Sequence, residues 1–282
     1  MSSAIRLQQE LAVALEVIEA AGAEVMRLYE SFEAVADAPA DITTDADSAS
    51  QELILKRLNA EFPNDRLCAE ETTAALERDR LAGKPETSRL WVVDPIDGTR
   101  GFARKNGEFS IMIGLVERGA VILGAVLEPA IGRLTYAIQG AGCHSKKNRG
   151  APFEQCRVNK AGMADATIAM SRSRGDQGEK KLLGLLGAKR GVQTYSAGIK
   201  LAQVARGEAD LYLGDYPAMH DWDLCAGCIL VEEAGGRVTD WNGDPLQFGQ
   251  APFKQRLGIA ASNGVLHAEL LTVVGKHRDA VY

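Results

Sequence analysis

Trp91-Val92-Val93-Asp94-Pro95-Ile96-Asp97-Gly98-Thr99 joins an apolar run directly to two carboxylates, a glycine and a hydroxyl. Residues 89–93 read as a buried strand, Pro95 is expected to end it, and Gly98 permits a tight turn before a helix that starts near Thr99. Asp94 and Asp97 then stand at a strand end. Two carboxylates in a partly buried turn cannot both stay ionised without a counter-charge, and an oxygen-preferring divalent cation is the usual one. Backbone N–H groups of the turn and of the helix start offer an anion site beside that cation. Adjacent cation and anion sites suit phosphate chemistry. The same residues would also serve a purely structural Asx-type turn with capping aspartates.

Other acidic positions repeat the pattern. Asp47 opens a helix expected over 48–62, Glu70-Glu71 ends a short strand over 66–69, and Asp223 precedes a helix over 224–234. Asp47 and Asp223 read as N-caps if their role is structural. Taken as a set, Glu70, Asp94, Asp97 and Asp223 each face a loop from the end or start of an element, and together they could hold two or three hard cations.

The elements that must position these groups fall into two halves. Residues 7–32 carry apolar residues at helical spacing, 34–41 form a loop, and 72–88 read as loop or weak helix. Three β-rich runs at 110–116, 121–127 and 133–139, separated by turn residues, predict an antiparallel meander. Strands then alternate with helices: strands at 167–170, 192–196, 210–213, 236–240 and 258–261, helices at 177–186, 199–206, 224–234 and 265–274. An α+β lobe over 1–154 followed by an α/β lobe over 155–282 is expected.

With 282 residues, 46% hydrophobic and 25% charged, the chain has the composition of a globular protein. A net charge of −6 with scattered basic residues argues against a nucleic-acid polymer as partner. No apolar run approaches the roughly 20 residues of a membrane span, and Glu10 and Glu16 interrupt any signal-peptide pattern, so a cytoplasmic location is expected. The cysteines, Cys68, Cys143, Cys156, Cys225 and Cys228, are odd in number and scattered. Cys225 and Cys228 make a CxxC inside a helical pattern, read as buried free thiols in preference to zinc or redox use.

Ala69-Glu70-Glu71, the 91–99 motif, Trp222-Asp223-x-x-Ala226-Gly227 and Glu233-Ala234-Gly235-Gly236, in that order over nearly the whole chain, resemble the inositol monophosphatase superfamily of lithium-sensitive, magnesium-dependent phosphomonoesterases. Ile42-Thr43-Thr44-Asp45-Ala46-Asp47 is similar to that family's Val-Thr-x-x-Asp loop. The resemblance implies a layered αβαβα sandwich, an α/β fold of the inositol monophosphatase and fructose-1,6-bisphosphatase type. It further implies that Glu70, Asp94 and the Ile96 carbonyl hold one Mg²⁺, that Asp94, Asp97 and Asp223 hold a second, and that a third leans on Glu70. Gly98 and Thr99 N–H groups would cradle the phosphate, while Asp47 and the Thr99 hydroxyl would orient and deprotonate the attacking water.

Within the superfamily, Phe102-x-x-x-Asn106-Gly107-Glu108-Phe109-Ser110 looks most like the 3'(2'),5'-bisphosphate nucleotidase branch. Ser171-Arg172-Ser173 and Lys200 look like that branch's nucleotide-binding segments. The expected reaction is removal of the 3'-phosphate from adenosine 3',5'-bisphosphate or its sulfated relative, with Arg172, Arg174 and Lys200 either gripping the second phosphate or lying as solvated surface charge. Gly214-Asp215 stands where that branch carries an arginine, and Arg174 where it carries a histidine. The alternative is therefore an inositol or sugar monophosphate, with Asp215 accepting hydroxyl hydrogen bonds. In either case the partner is a small phosphorylated metabolite. Relatives include both monomers and dimers, which leaves a homodimer open. A non-catalytic metal- or phosphate-binding regulator on the same fold is a third reading.

Overall fold

The structure, a computed structural model, describes residues 7–85, 89–214 and 219–276. Helices α1 (Gln8–Ser31) and α2 (Asp45–Glu61) each turn one apolar stripe inward, with Val13, Val17, Ile18, Ala21 and Val25 on the first and Ile54, Leu55 and Leu58 on the second. Both pack on one face of a seven-stranded sheet ordered β1-β2-β3-β4-β5-β6-β7. Its strands are β1 (Arg66–Ala69), β2 (Leu90–Asp97), β3 (Ser110–Glu117), β4 (Ala120–Glu128), β5 (Arg133–Ile138), β6 (Gly142–Lys146) and β7 (Glu154–Cys156). β1 runs parallel to β2, and the later neighbours pair antiparallel, so the expected meander is present and extends through two further strands. Helix α3 (Ala74–Leu81) lies between β1 and β2 in sequence, and the five-residue α4 (Thr99–Ala103) follows β2.

Strand alternation assigns each face of this sheet a separate core. Trp91 and Val93 of β2 face the α1–α2 layer, whereas Leu90 and Val92 face helices from the second half of the chain. Those helices, α6 (Ala197–Ala205) and α7 (Asp221–Glu233), form a middle layer. On their other side lies a five-stranded sheet ordered β12-β14-β10-β8-β9. It comprises β8 (Thr167–Ser171), β9 (Arg190–Thr194), β10 (Leu211–Gly214), β12 (Arg237–Thr239) and β14 (Ile259–Ser262). Helices α5 (Gly175–Leu186) and α8 (His267–Lys276) cover its outer face through Leu182, Leu186, Leu270 and Val274. β11 (Met219–His220), immediately before α7, pairs with β13 (Lys254–Gln255) in a short ribbon. The layers therefore run α, β, α, β, α. Among the described residues no helix is long and apolar enough to cross a membrane.

Because α7 is covered from both sheets, Leu224, Cys225, Ala226, Cys228, Ile229, Leu230 and Val231 are all buried. The CxxC belongs to this core, and all five cysteines are free and buried.

Several boundaries differ from the sequence reading. Pro95 does not end β2, which continues to Asp97 through a register shift against β3 between Asp94 and Asp97. Pairing with β1 stops at Val93, so the proline's missing N–H faces no ladder partner, and the irregularity accommodates the ring. Helices α2 and α7 start three residues before the predicted positions, at Asp45 and Asp221. The stretch expected as loop or weak helix contains α3, which buries Ala75, Leu76 and Asp79 on one side.

The central layer demands close approach. A Cβ on Gly124 of β4 would lie 2.5 Å from both the Ala226 carbonyl oxygen and Ile229 Cγ2 of α7. Gly124→Ala should lower stability by about 1–3 kcal/mol through overpacking, read as a thermal midpoint several degrees below wild type; an unchanged midpoint would show that β4 and α7 can separate freely.

Candidate active site

The acidic positions converge where β1 and β2 end and where α2 and α7 begin. Asp94 is 1% exposed and Asp97 8% exposed, both in the second half of β2, which Asp97 ends. Asp223, the third residue of α7, completes a cluster in which one carboxylate oxygen of each of the three lies within 4.8 Å of the others. Glu70 follows β1 immediately, and its charge acts on Asp94 more strongly than that of any other acid. Asp47 is the third residue of α2 and 1% exposed.

Neither Asp47 nor Asp223 is an N-cap. The cap of α2 is Thr44, and Asp47 Oδ2 accepts from Thr44 N at 2.8 Å and from Thr44 Oγ1 at 2.7 Å. Its other oxygen, Oδ1, accepts from Thr99 Oγ1 at 3.2 Å. Asp223 Oδ2 likewise accepts the His220 N–H at 2.5 Å. In both cases one oxygen anchors a helix start while the carboxylate points into the site.

Burial without compensation dominates the electrostatics. It pushes Glu70 up to about 8, with Asp223 and Glu71 adding repulsion, and Asp223 up to about 7, against the favourable His220 N–H. Burial, then Glu70 and Asp97, hold Asp94 well above the ordinary carboxylate range. Asp47 rises to about 6, its Thr44 hydrogen bonds offsetting part of the desolvation. Asp97 is raised by burial but is the best supported: Oδ2 accepts from Gly198 N at 2.6 Å and from the Ser196 hydroxyl, and Lys200 opposes the shift with positive charge.

Asp94 Oδ1 is buried and has no hydrogen-bond partner. A buried carboxylate oxygen with no donor, inside a group of like charges, is the arrangement a hard cation satisfies. The residues thus fit a divalent metal.

The turn after β2 places the remaining predicted residues. Gly98 has φ +85°, and a Cβ there would sit 2.8 Å from the Glu108 carbonyl oxygen and 3.0 Å from Ser196 N. Thr99 Oγ1 lies 3.0 Å from the Ile96 carbonyl as well as near Asp47, so its single proton has two acceptors. Arg172 is part-exposed but committed: Nε donates to Glu108 Oε2 at 2.7 Å, and Nη2 to the Gln193 carbonyl at 3.0 Å. Ser173 Oγ accepts from Arg100 Nη1 at 3.0 Å. Lys200 is 3% exposed, which removes the surface-charge reading. Its ammonium donates to the carbonyls of Thr194 and Tyr195 at 3.3 and 3.1 Å, and burial lowers it to about 8. Asp215 lies outside the described residues.

Sequence reasoning missed the residues that hold the acids in place. Ser196 caps α6, accepting from Ile199 N at 2.9 Å while donating to Asp97. Ser50 Oγ donates to the Pro95 carbonyl at 3.0 Å and fixes the irregular end of β2. Gln51 clamps the segment after β1, donating to the Glu71 carbonyl at 2.6 Å and accepting from Glu71 N at 2.8 Å. Ser196 alone carried a readable signal, a serine just before an apolar helix.

Residues 6–279 match the family model described as the inositol monophosphatase family. The chain belongs to the inositol monophosphatase family. It is 30% identical over 240 residues to the inositol-1-monophosphatase of Bacillus subtilis (strain 168), covering 84% of this chain and 87% of that protein. It is 33% identical over 237 residues to the 3'(2'),5'-bisphosphate nucleotidase CysQ of Escherichia coli (strain K12), covering 81% and 89%. Among solved structures, a Thermotoga maritima IMPase superposes with a TM-score of 0.78 at 28% identity, over 97% of this chain and 100% of that one. Members of the family are magnesium-dependent phosphatases, and the acidic cluster lies on the motifs that carry the resemblance.

The raised carboxyls make a signed prediction. Without metal, Glu70, Asp223 and Asp47 (about 8, 7 and 6) bind protons in the folded state that they release on unfolding. Their folded values lie above the ordinary ones, so their stabilising contribution is present at acid pH and is lost as the pH rises between about 4 and 8. In EDTA the melting temperature should fall from about pH 5 to pH 8, and Mg²⁺ added at the upper end should restore it. A melting temperature indifferent to Mg²⁺ at pH 8 would rule out the cluster as a cation site.

Proposed function

We propose that the chain is a magnesium-dependent phosphomonoesterase that removes the 3'-phosphate from adenosine 3',5'-bisphosphate or its sulfated relative. The single observation that carries the phosphatase reading is the buried Asp94 Oδ1 without a hydrogen-bond partner, on a residue whose carboxylate clusters with those of Asp97 and Asp223. Asp94, Asp97, Asp223 and Glu70, with the Ile96 carbonyl, are the groups that would hold two or three Mg²⁺ ions. Bound there, the ions supply neutralisation of phosphoryl oxygens and a lowered pKa for water.

The chain's own residues supply the rest. Thr99 Oγ1 takes a proton from the attacking water while passing its own to Asp47 Oδ1. Asp47 is suited to that proton, since burial raises it to about 6 and the two Thr44 bonds stop it rotating away. The phosphate rests on the N–H groups of Gly98 and Thr99, in a turn whose close approach to the Glu108 carbonyl and Ser196 leaves no room for a Cβ at Gly98. Water attacks in line, the phosphorus–oxygen ester bond breaks, and the leaving alkoxide takes a proton from solvent water to depart as the alcohol, followed by inorganic phosphate.

Support for a bisphosphate nucleotide comes from residues 106–110 and from the identity with the Escherichia coli nucleotidase. Asn106 Oδ1 accepts the Glu108 N–H at 3.0 Å, and Glu108 then pairs with Arg172, so this loop ties the end of β8 to the site. A second reading, an inositol or sugar monophosphate, is favoured by the commitment of Arg172 and Lys200 to internal partners and by the identity with the Bacillus subtilis enzyme.

Phosphate release with Mg²⁺ from adenosine 3',5'-bisphosphate and from inositol 1-phosphate decides between them. A hundredfold higher kcat/KM for the nucleotide, about 2.7 kcal/mol of differential transition-state binding, supports the first reading; a preference for inositol phosphate selects the second. Asp94→Asn should reduce turnover at least about a thousandfold while leaving the metal-free protein folded, since Asn is close in size to a buried carboxyl whose Oδ1 has no hydrogen-bond partner to lose. Retained turnover would sink the metal-site reading.

A further inference from the structure

Helix α2 changes character along its buried stripe. Ile54, Leu55 and Leu58 continue it as ordinary core, but towards the N-terminus Asp47, Ser50 and Gln51 are the buried side chains, the last two with no exposed surface. Their spacing of three and four puts them on one face of the helix. Buried polar side chains cost stability unless their groups find partners. Here the partners lie on both chain segments that lead into the carboxylate cluster.

Gln51 takes the place of a strand. Parallel pairing of β1 with β2 ends at Ala69 opposite Val93, so Glu70 and Glu71 have left that ladder. The Gln51 amide meets both backbone groups of Glu71: Oε1 accepts from Glu71 N at 2.8 Å, and Nε2 donates to the Glu71 carbonyl at 2.6 Å. Nε2 spends its second hydrogen on Thr73 Oγ1 at 3.1 Å. The opposite amide orientation would set its NH₂ group against the Glu71 N–H. Glu70 is therefore the single residue between two fixed ones, Ala69 in the sheet and Glu71 in the clamp.

Ser50 acts in the same way on β2. The register with β3 is lost between Asp94 and Asp97, and inside that gap Ser50 Oγ donates to the Pro95 carbonyl at 3.0 Å. The next carbonyl, that of Ile96, accepts from Thr99 Oγ1 at 3.0 Å, and Asp47 Oδ1 lies 3.2 Å from the same hydroxyl. Asp47, Ser50 and Gln51 belong to one turn of one helix. Through them the water-activating acid, the end of β2 and the Glu70 segment are set relative to each other.

We propose that Gln51 and Ser50 are positioning residues: together they hold Glu70 and the irregular end of β2 in mutual register, so that Glu70 and Asp94 can serve one cation. The inference rests on the phosphatase reading above. It goes past that reading by assigning control of metal affinity to two neutral side chains that are not themselves candidate ligands. Losing a group that orients metal ligands characteristically weakens binding by about 10–100-fold.

The test measures Mg²⁺ binding by titration calorimetry, and melting temperature in EDTA, for wild type, Gln51→Met, Ser50→Ala and Glu52→Ala. Met matches Gln in length and lacks its amide. Glu52 is the comparison, since it lies on the same helix and its Oε2 accepts from Ala75 N at 2.9 Å, a tie to the start of α3. Gln51→Met should weaken Mg²⁺ binding at least about tenfold. Its turnover on the substrate that wild type prefers should be low at limiting Mg²⁺ and climb back towards wild type as Mg²⁺ is raised. Glu52→Ala should lower the melting temperature and keep the Mg²⁺ affinity. A Gln51→Met protein that melts lower yet binds Mg²⁺ as wild type does would make the clamp purely structural and overturn the proposal; so would an equal loss of affinity in Glu52→Ala. Should Gln51→Met not fold, Ser50→Ala, which removes one hydroxyl and one hydrogen bond, decides: weaker Mg²⁺ binding supports the proposal and unchanged binding overturns it. A wild type that binds Mg²⁺ but releases no phosphate would refute the phosphatase reading separately, because the binding comparison needs no turnover.

Discussion

Like charges crowded at the end of β2 are the constraint on which the rest of the structure depends. Three carboxylate oxygens within 4.8 Å repel by on the order of 3 kcal/mol per pair at an effective dielectric near 20, before Glu70 and Asp47 add theirs. Inside the protein the nearest answer is Lys200, whose charge favours ionised Asp97. Its own ammonium is held below its usual range by burial, so it can neutralise only part of the cluster. The remainder must be met by protons or by cations from solution. Everything local to the site, the two capping motifs, the irregular strand end and the glycine turn, keeps these oxygens together against a force that would separate them.

The layered architecture follows from that need. Asp94 and Asp97 belong to the first sheet, Asp47 to the layer outside it, and Asp223 with the Asp97 anchors Ser196 and Gly198 to the middle layer. No single sheet or helix pair could bring residues 47, 70, 94, 97 and 223 to one point. Stacking α6 and α7 against the first sheet does so because their helix starts arrive at the end where β1 and β2 finish. The N-terminal N–H groups of α6 then act as fixed donors to Asp97, giving one acid of the cluster a low-mobility support that Asp94 lacks.

What the sequence made legible was local. Asp-Pro-Ile-Asp-Gly-Thr announces a strand, a turn and a helix within a few residues, and each acid lies next to an element boundary, so the candidate ligands could be chosen without long-range information. Boundaries failed where side chains changed the rule. Thr44, and not Asp47, caps α2, because a Thr with an acid three residues on forms a reciprocal pair in which the acid sits inside the helix. β6 and β7 escaped notice because they are short and patterned with polar residues such as His144, Ser145, Glu154 and Gln155. Charged side chains were read least well. Nothing near Lys200 in sequence announces that Asp97, a hundred positions earlier, stands close enough to oppose its desolvation, and nothing near Arg172 points to Glu108.

That failure has a physical origin that bears on specificity. The cluster is built on strand ends and helix starts, where backbone geometry restricts what a side chain can do. The rim is built on long cations whose partners are set only when distant segments meet: Arg172 with Glu108 and Arg100 with Ser173. Exchanging any of these alters which anions the rim attracts without moving a carboxylate of the cluster. A family can thus keep one hydrolytic centre and change the molecule brought to it. The centre is recorded in short motifs, whereas the substrate is recorded in pairings between residues far apart in the chain. Two relatives about equally similar to this chain, an inositol-1-monophosphatase and a bisphosphate nucleotidase, carry names that differ in what they act on.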